Sequence, residues 1–130
     1  MTRAKAAAFW ALSCTWGIIM TLLGAIGALV FLAMGHRPVR VGYSYMFAFG
    51  SGWGSATFGP FIFASEGNAA SRDIRLHEAG HSIQNCIWGV LFPFVIAIPS
   101  LISAAADPAG HRGRWFELQA TALGYKYCDF

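Results

Sequence analysis

The stretch LHEAGHSIQ, residues 76–84, decides how the rest of this chain is organised. His77 and His81 are four residues apart, and residues at that spacing lie on one face of an α-helix. They can therefore offer two imidazole nitrogens to one metal ion, while Glu78 can take a proton from a water molecule beside that ion. A zinc site of this kind needs a third protein ligand and an open fourth position, and Glu117 is the best candidate for the third.

The alternative to a metal site is a polar patch whose members satisfy one another. His77, Glu78 and His81 run directly into an apolar segment, where ionisable groups are costly unless they are paired, hydrated or bound to metal. We therefore favour metal binding, while an exposed or capping acid remains the alternative for Glu117. His36 and His111 lie in basic loops, and we expect them to be solvated and to have no role in the site.

The composition indicates a membrane protein of about one domain. The 130 residues are 56% hydrophobic, 15% aromatic and 12% charged, and the mean hydropathy is +0.51, which is too apolar for an ordinary soluble surface. The net charge is only +3, and the lysines and arginines lie near the ends of apolar runs. We interpret them as contacts to lipid headgroups and expect no nucleic-acid partner.

The three cysteines, Cys14, Cys86 and Cys128, are far apart and odd in number. None belongs to a CxxC pair, and Cys14 falls inside an apolar run. We predict that they are buried small residues, because neither a disulfide framework nor a metal knuckle fits this spacing.

The N-terminal region predicts a membrane anchor. A short basic head is followed by the uncharged run Ala6–Met34, long enough to span about 30 Å of hydrocarbon as one tilted helix. The run is too long for a signal peptide, so we expect it to be retained. The basic segment His36–Arg40 nearly balances the head in charge, so the positive-inside rule favours a cytoplasmic N-terminus only weakly. We divide the chain into an anchor, 1–40, and a membrane-associated domain, 41–130.

Alternation of large apolar and small residues over Val41–Phe49 predicts a strand. A Gly-Ser-Gly turn follows, and Ser55–Phe63 can return as a second strand, with Gly59-Pro60 marking a bulge or an edge position. The sequence thus predicts a small β-hairpin. A transmembrane helix over 42–64 is the alternative, and Pro60 and the many glycines disfavour it.

Two helices should carry the motif residues. Ser71 can cap the first, and Asp73 then lies in its first turn, where the helix dipole favours an acid. Gly80 is small enough to let a neighbouring strand approach that helix. The second helix is predicted over Trp115–Leu123, ending at Gly124.

The apolar run Ile87–Ala106 lies between these helices and is broken by Pro93 and Pro99. If the run crossed the bilayer once, Glu117 would emerge on the opposite side from the motif histidines. We therefore predict a re-entrant segment that turns near Pro99, with limbs of about 10 residues, roughly 15 Å each, too short to span, and the alternative is a segment that lies in the membrane interface.

The motif HEAGH at 77–81, followed by ELQA at 117–120, resembles the gluzincin metallopeptidase pattern, HExxH then ExxA. It is most similar to the membrane-embedded proteases of the CAAX-prenyl and heat-shock type, in which apolar segments separate the two halves of the pattern. The region 53–124 also looks like a group of small uncharacterised bacterial membrane proteins that carry this motif. That second resemblance brings no established function.

The resemblance implies that His77, His81 and Glu117 are zinc ligands and that Glu78 is the general base. It implies that the hairpin offers an edge strand to an extended peptide. The expected fold is an α-helical membrane protein with a small β-hairpin, one N-terminal transmembrane helix, a minimal zincin-like core and a proline-broken re-entrant segment. The expected location is the bacterial inner membrane. One departure is Thr121, where the protease pattern usually has an aspartate that supports a ligand histidine.

Two functions follow as hypotheses. The first is a zinc-dependent membrane metallopeptidase that hydrolyses peptide bonds at or near the membrane surface, although Tyr125 and Tyr127 are the only unplaced groups that could stabilise an oxyanion. The second is a non-catalytic accessory subunit of a larger bacterial membrane complex, with other membrane subunits as partners and a metal site that is structural or absent. The occupant of the fourth metal position distinguishes the two.

Overall fold

The computed structural model describes residues 2–128, which form a mostly helical fold around a small mixed sheet. Helix α4, which carries the motif, packs along α6 on one side and against strand β3 on another. The helices are α1 (Arg3–Ser13), α2 (Ile18–Ala33), α3 (Glu66–Ala69), α4 (Arg72–Trp88), α5 (Ile98–Ala106) and α6 (Trp115–Tyr127). The strands are β1 (Val39–Val41), β2 (Ser44–Ala48), β3 (Ser55–Phe58) and β4 (Phe61–Ala64).

The prediction of one continuous N-terminal helix is wrong. The run breaks into α1 and α2, which are bent by 96° relative to each other. At the break the Thr21 hydroxyl donates to Ser13 O at 2.6 Å, and the Asn85 amide of α4 donates to Gly17 O at 3.2 Å. These polar side chains bond carbonyls that a straight helix would have used internally. The bend lays α1 across the core, where Phe9 is buried.

The two apolar segments of the sequence are bent in the structure and do not form straight membrane-spanning helices. Within residues 2–128, no single helix is both long and apolar enough to cross a bilayer. Two bent pairs have that combined length and composition: α1 with α2, and the run Arg72–Leu91 with Pro93–Ala106, which is bent by 116°.

Strands lie in both predicted regions, but the two predicted strands are four: 41–49 holds the end of β1 and all of β2, and 55–63 holds β3 and most of β4, with a turn at Gly59-Pro60 where a bulge or an edge position was predicted. The prediction of one hairpin is therefore wrong, and the alternative helix over 42–64 is excluded. The sheet order is β1-β2-β4-β3, with β4 parallel to β2 and antiparallel to β3. Gly59-Pro60 is the turn between β3 and β4, and Gly59 has a φ of +60°. Strand β4 takes the central place because it is the more apolar, with Ile62 fully buried. Strand β3, which carries Ser55 and Thr57, is left at the edge.

The start of the motif helix is as predicted. The Ser71 hydroxyl accepts the Ile74 N–H, and Asp73 lies in the first turn of α4. Gly80 does permit a close approach, but the neighbour is a helix rather than a strand. A Cβ on Gly80 would lie 1.6 Å from Ala120 O, and one on Gly124 would lie 1.8 Å from Leu76 O.

Gly124 therefore lies inside α6, and the prediction that it ends this helix is wrong. Gly124 packs against the α4 backbone at Leu76, and α6 continues beyond it to Tyr127. Glycines on both facing helices let the two backbones touch, which brings the first turn of α6 to the middle of α4.

The turn in the apolar run falls earlier than predicted. The bend lies around Gly89–Phe92, ahead of Pro93, and not at Pro99. Gly89 has a φ of +56°, and a Cβ there would collide with the Trp16 ring at 2.0 Å. Pro99 lies within the helical arm 93–106, where a π-helical turn over Pro93–Ala97 runs directly into α5.

The cysteines differ in exposure. All three are free thiols; Cys128 is buried, Cys86 is half-buried and Cys14 is exposed. The prediction of burial is thus wrong for Cys14, which lies at the bend between α1 and α2. Burial raises the pKa of the Cys128 thiol to about 11.

Candidate metal centre

The three side chains predicted as metal ligands meet between α4 and α6. His77 Nε2 lies 3.3 Å from Glu117 Oε1, and His81 Nε2 lies 3.2 Å from Glu117 Oε2. One potential ligand atom from each of the three lies within 4.8 Å of the others, and all three residues are buried. Helix α4 sets the spacing of the two rings, and the glycine contact with α6 sets the position of the carboxylate.

A network of amide groups fixes the tautomer of His81. The Gln84 amide nitrogen donates to Phe116 O at 2.7 Å and to Gln119 Oε1 at 3.0 Å. Gln84 Oε1 therefore faces His81 Nδ1, at 2.7 Å, and can only accept. His81 Nδ1 must carry hydrogen, so in the neutral ring the Nε2 lone pair points towards the carboxylate.

Thr121 fixes His77 in the same way. Its hydroxyl donates to Glu117 O at 3.2 Å, so it accepts the Nδ1–H of His77 at 2.8 Å. Thr121 is the residue at which the sequence departs from the protease pattern. The structure places this side chain on the ligand histidine, in the position of a supporting group, with a neutral hydroxyl in place of a carboxylate.

The resulting donor set fits a metal ion. Neutral His77 and His81 turn two lone pairs towards the Glu117 carboxylate, and acceptors that meet in a buried space need a cation among them, either a proton or a metal ion. Ligand atoms in a tetrahedron with bonds of about 2.0–2.1 Å are roughly 3.3 Å apart. The observed separations of 3.2 and 3.3 Å match that spacing. Two imidazoles and a carboxylate suit zinc and other divalent transition metals, so this group could hold a metal ion, and its geometry does not choose the metal.

Glu117 is held as an anion at this position. Burial alone would raise the pKa of the Glu117 carboxyl, but when His77 and His81 carry protons on Nε2 as well as on Nδ1, their hydrogen bonds and positive charges hold that pKa well below its usual range. The Ser100 hydroxyl of α5 donates to Glu117 Oε2 at 3.2 Å. A charged carboxylate is the form that a metal ion requires.

His111 also reaches the centre, contrary to the expectation that it is solvated. Its Nε2 lies 2.9 Å from Glu117 Oε1, and its Nδ1 is hydrogen-bonded to the Ser103 hydroxyl. No sequence spacing could have found this contact, because the loop 107–114 is placed by the bend that returns α5 over the site. His36, by contrast, packs against the Phe31 ring.

Glu78 lies beside the three ligands and is held by the edge strand. The Ser55 hydroxyl donates to Glu78 Oε1 at 3.0 Å, and the Thr57 hydroxyl donates to Glu78 Oε2. Alternate residues of a strand point to the same side, so Ser55 and Thr57 together fix both carboxylate oxygens. The Tyr125 hydroxyl donates to Asp73 at the surface, away from this position.

A cleft of about 280 Å³ opens onto the centre. Glu78, His81, His111 and Glu117 lie at its polar end, and β3 forms one wall. The remaining lining is largely apolar and comes from α2 and from the bent run that leads into α5: Met20, Phe92, Ile96, Ala97, Ile98, Leu101 and Ala104. The cleft therefore combines a potential metal, a carboxylate and an apolar wall.

Comparison with protein-family models, with curated proteins and with solved structures finds no match for this chain. The likeness to gluzincins consequently rests on the motif residues themselves.

Proposed function

We propose that this protein is a zinc-dependent peptidase of the gluzincin type that acts on peptide segments at the membrane surface. The observation that carries the proposal is the arrangement in one cleft of His77, His81 and Glu117 with Glu78. Each ligand histidine has a partner on its second nitrogen, as catalytic zinc sites require.

Each side chain has a role in this proposal. His77, His81 and Glu117 would hold the zinc, which when bound polarises a peptide carbonyl as a Lewis acid. Glu78 would remove a proton from a water molecule whose oxygen forms a bond to the carbonyl carbon. The same carboxylate would then pass that proton to the amine nitrogen as the carbon–nitrogen bond breaks. Ser55 and Thr57 would orient Glu78.

The substrate class follows from the walls of the cleft. Strand β3 is at the edge of the sheet, with β4 on one side only. An edge strand presents unpaired N–H and C=O groups, which an extended peptide can pair with. The apolar lining from Phe92 and Leu101 suits a large apolar side chain near the bond that is cleaved.

The location at a membrane is part of the same proposal. Leu29 of α2 is 67% exposed, and Leu101 of α5 is 73% exposed. Many other large apolar side chains on these helices are exposed as well, and this much exposed apolar surface supports contact with lipid or another apolar partner. We propose the bacterial inner membrane, with its lipids as the partner of these faces.

The test uses the zinc-loaded, detergent-purified protein and a library of apolar peptides. The Glu78→Gln variant should lose cleavage by at least the roughly 100-fold typical of a general base while retaining zinc. Glu66→Gln, an exposed acid at the start of α3, is the matched control and should cleave normally. Normal cleavage by Glu78→Gln would contradict the mechanism.

A second candidate is a non-catalytic accessory subunit of a membrane complex, with the metal fixing the fold. His111 favours it, because a fourth protein group beside Glu117 resembles a closed structural site. Zinc binding with no cleavage of any peptide in the library would support this candidate over the peptidase.

A further inference from the structure

The cleft at the candidate centre reaches the surface of the molecule through apolar side chains. The polar groups at its inner end are buried or half-buried, and they are Glu78, His81, His111 and Glu117. Of the lining residues in the described part of the chain, the exposed ones are Ile98, Leu101 and Ala104. All three are apolar and all three lie on α5, so the mouth of the cleft belongs to the exposed apolar face of that helix.

The spacing of the lining residues shows how one helical arm serves both the cleft and the outside. Ala97, Leu101 and Ala104 are four and three residues apart, so they share one face of the arm. The two alanines leave room beside the arm, whereas Leu101 is a large side chain that is 73% exposed at the mouth. Next to it in sequence, the Ser100 hydroxyl donates to Glu117 Oε2 at 3.2 Å. The arm thus joins the ligand carboxylate to the outer apolar face within one helical turn.

This continuity assigns a path to the substrate. We propose that the substrate lies in the cleft with its reacting carbonyl at the centre and an apolar segment leading out over Leu101. This rests on the proposed peptidase site. It deepens that proposal by naming Leu101 as a residue that selects the substrate and the apolar face of α5 as the side from which the substrate enters. The substrate is then an apolar peptide segment drawn from lipid.

The polarity of the mouth supports this direction of entry. A polar or charged group that passes Ile98 and Leu101 loses water before it meets a partner in the cleft, and that loss is costly. An apolar segment meets no such cost and gains from contact with the same side chains. Phe92 and Ile96, which are buried and also line the cleft, continue the apolar path. The mouth therefore selects an apolar segment before the substrate reaches Glu78.

Two hydroxamates test this path by binding alone, without turnover. Acetohydroxamate binds zinc and is too short to reach the mouth, whereas octanohydroxamate adds six methylenes that would lie along the cleft and over Leu101. Each methylene that becomes buried is worth roughly fourfold in affinity. Octanohydroxamate should therefore bind the zinc-loaded, detergent-purified full chain at least about 15-fold more tightly than acetohydroxamate, the factor for two buried methylenes. Equal affinities for the two probes would overturn the inference.

Matched variants separate the mouth of the cleft from the detergent around it. Leu101→Gln should lose about fourfold or more of the affinity for octanohydroxamate and bind acetohydroxamate as the wild type does. Leu101→Met keeps an apolar side chain and should restore the affinity. Leu29→Gln is the control, because Leu29 is 67% exposed on α2 and does not line the cleft, and it should match the wild type with both probes. An equal loss in Leu29→Gln and Leu101→Gln, or no loss in Leu101→Gln, would overturn the inference.

The short probe separates this inference from the proposed centre. If acetohydroxamate binds the wild type and the longer chain adds nothing, the centre stands and entry across α5 is wrong. If the wild type holds no zinc and binds neither hydroxamate, the proposed centre fails and the path proposed here fails with it.

Discussion

The pair α4 and α6 and the helices α2 and α5 distribute polarity in opposite ways. Between α4 and α6 several of the buried side chains are polar or charged, with His77 and Glu117 only 2% exposed. On α2 and α5 the exposed groups are aliphatic, led by Leu29 and Leu101. The molecule thus buries a polar cluster between one pair of helices and exposes apolar side chains on two others.

This difference shows what each region requires. Buried polar groups are stable only when they are hydrogen-bonded or bound to a cation, and the groups of the centre have such partners. Within residues 2–128, Asn85 Oδ1 is the single buried side-chain oxygen or nitrogen without a hydrogen bond. The exposed apolar side chains of α2 and α5 need no partner within the fold, and in the proposal above lipid covers them. The predictions below change one region at a time.

Metal removal should have the largest effect. Ligand binding stabilises a fold by roughly 4 kcal/mol when free zinc exceeds its dissociation constant about 1,000-fold. A chelator should therefore lower the melting temperature of the zinc-loaded protein markedly, as followed by circular dichroism. The same chelator should leave the melting temperature of His77→Ala unchanged; an equal shift in that variant would show that the zinc binds elsewhere.

The α4–α6 contact should tolerate no added carbon. In Gly80→Ala the new Cβ would meet the backbone at Ala120 O, so the two helices must separate, at a cost of about 3 kcal/mol. Gly67→Ala is the control, because a Cβ on Gly67 has no neighbour within 4 Å. Urea denaturation of both variants measures the difference, and equal midpoints would mean that the helices do not touch.

Removal of the hydroxyl that supports His77 should have an intermediate effect on zinc binding. Thr121→Val keeps the volume near His77 and removes the hydroxyl, which should weaken zinc binding roughly 10- to 100-fold. Thr121→Ser restores the hydroxyl and should restore the affinity. Titration against a chromophoric chelator measures the zinc affinity of both variants. Wild-type affinity in Thr121→Val would show that this hydrogen bond does not matter.

A polar substitution on the outer face should leave the fold almost unchanged. Ile26 of α2 is exposed, so Ile26→Gln should alter the free energy of unfolding by no more than about 0.5 kcal/mol. It should reduce binding to lipid vesicles, as measured by co-flotation, because apolar area is lost. Thr15→Gln, at an exposed polar position, is the control. A large loss of stability in Ile26→Gln would mean that α2 is covered within the chain.

The smallest effect concerns thiol reactivity, with no change to the chain. Burial raises the pKa of Cys128 to about 11, so at pH 7.5 its reactive thiolate is scarce as well as inaccessible. Cys14 is exposed and should react with a maleimide well before Cys128, as mass spectrometry of the labelled peptides would show. Faster labelling of Cys128 would contradict its burial in the core cluster with Val41 and Ala79.

The local features were predictable from the sequence, because their signals are local. The cap at Ser71 depends on residues within one turn, and the spacing of His77 and His81 is a property of any helix. The strands were marked by their alternation. Glu117 was predicted because ELQA at 117–120 resembles the second half of the gluzincin pattern.

The features that depend on contacts between residues far apart in the sequence were not predictable. Insertion of β4 between β2 and β3 reflects competition between two strands for the buried place, which alternation alone does not reveal. The place of the bend was decided by the contact of Gly89 with Trp16, more than seventy residues apart in sequence. His111 entered the centre only because this bend carries its loop back over Glu117.

The most direct test of the account is the zinc content of the detergent-purified protein, with His77→Ala and Glu117→Ala measured beside the wild type. The account predicts about one zinc ion per wild-type chain and none in either variant, because three protein ligands define the site. A wild-type protein that holds no zinc under non-chelating conditions would contradict it.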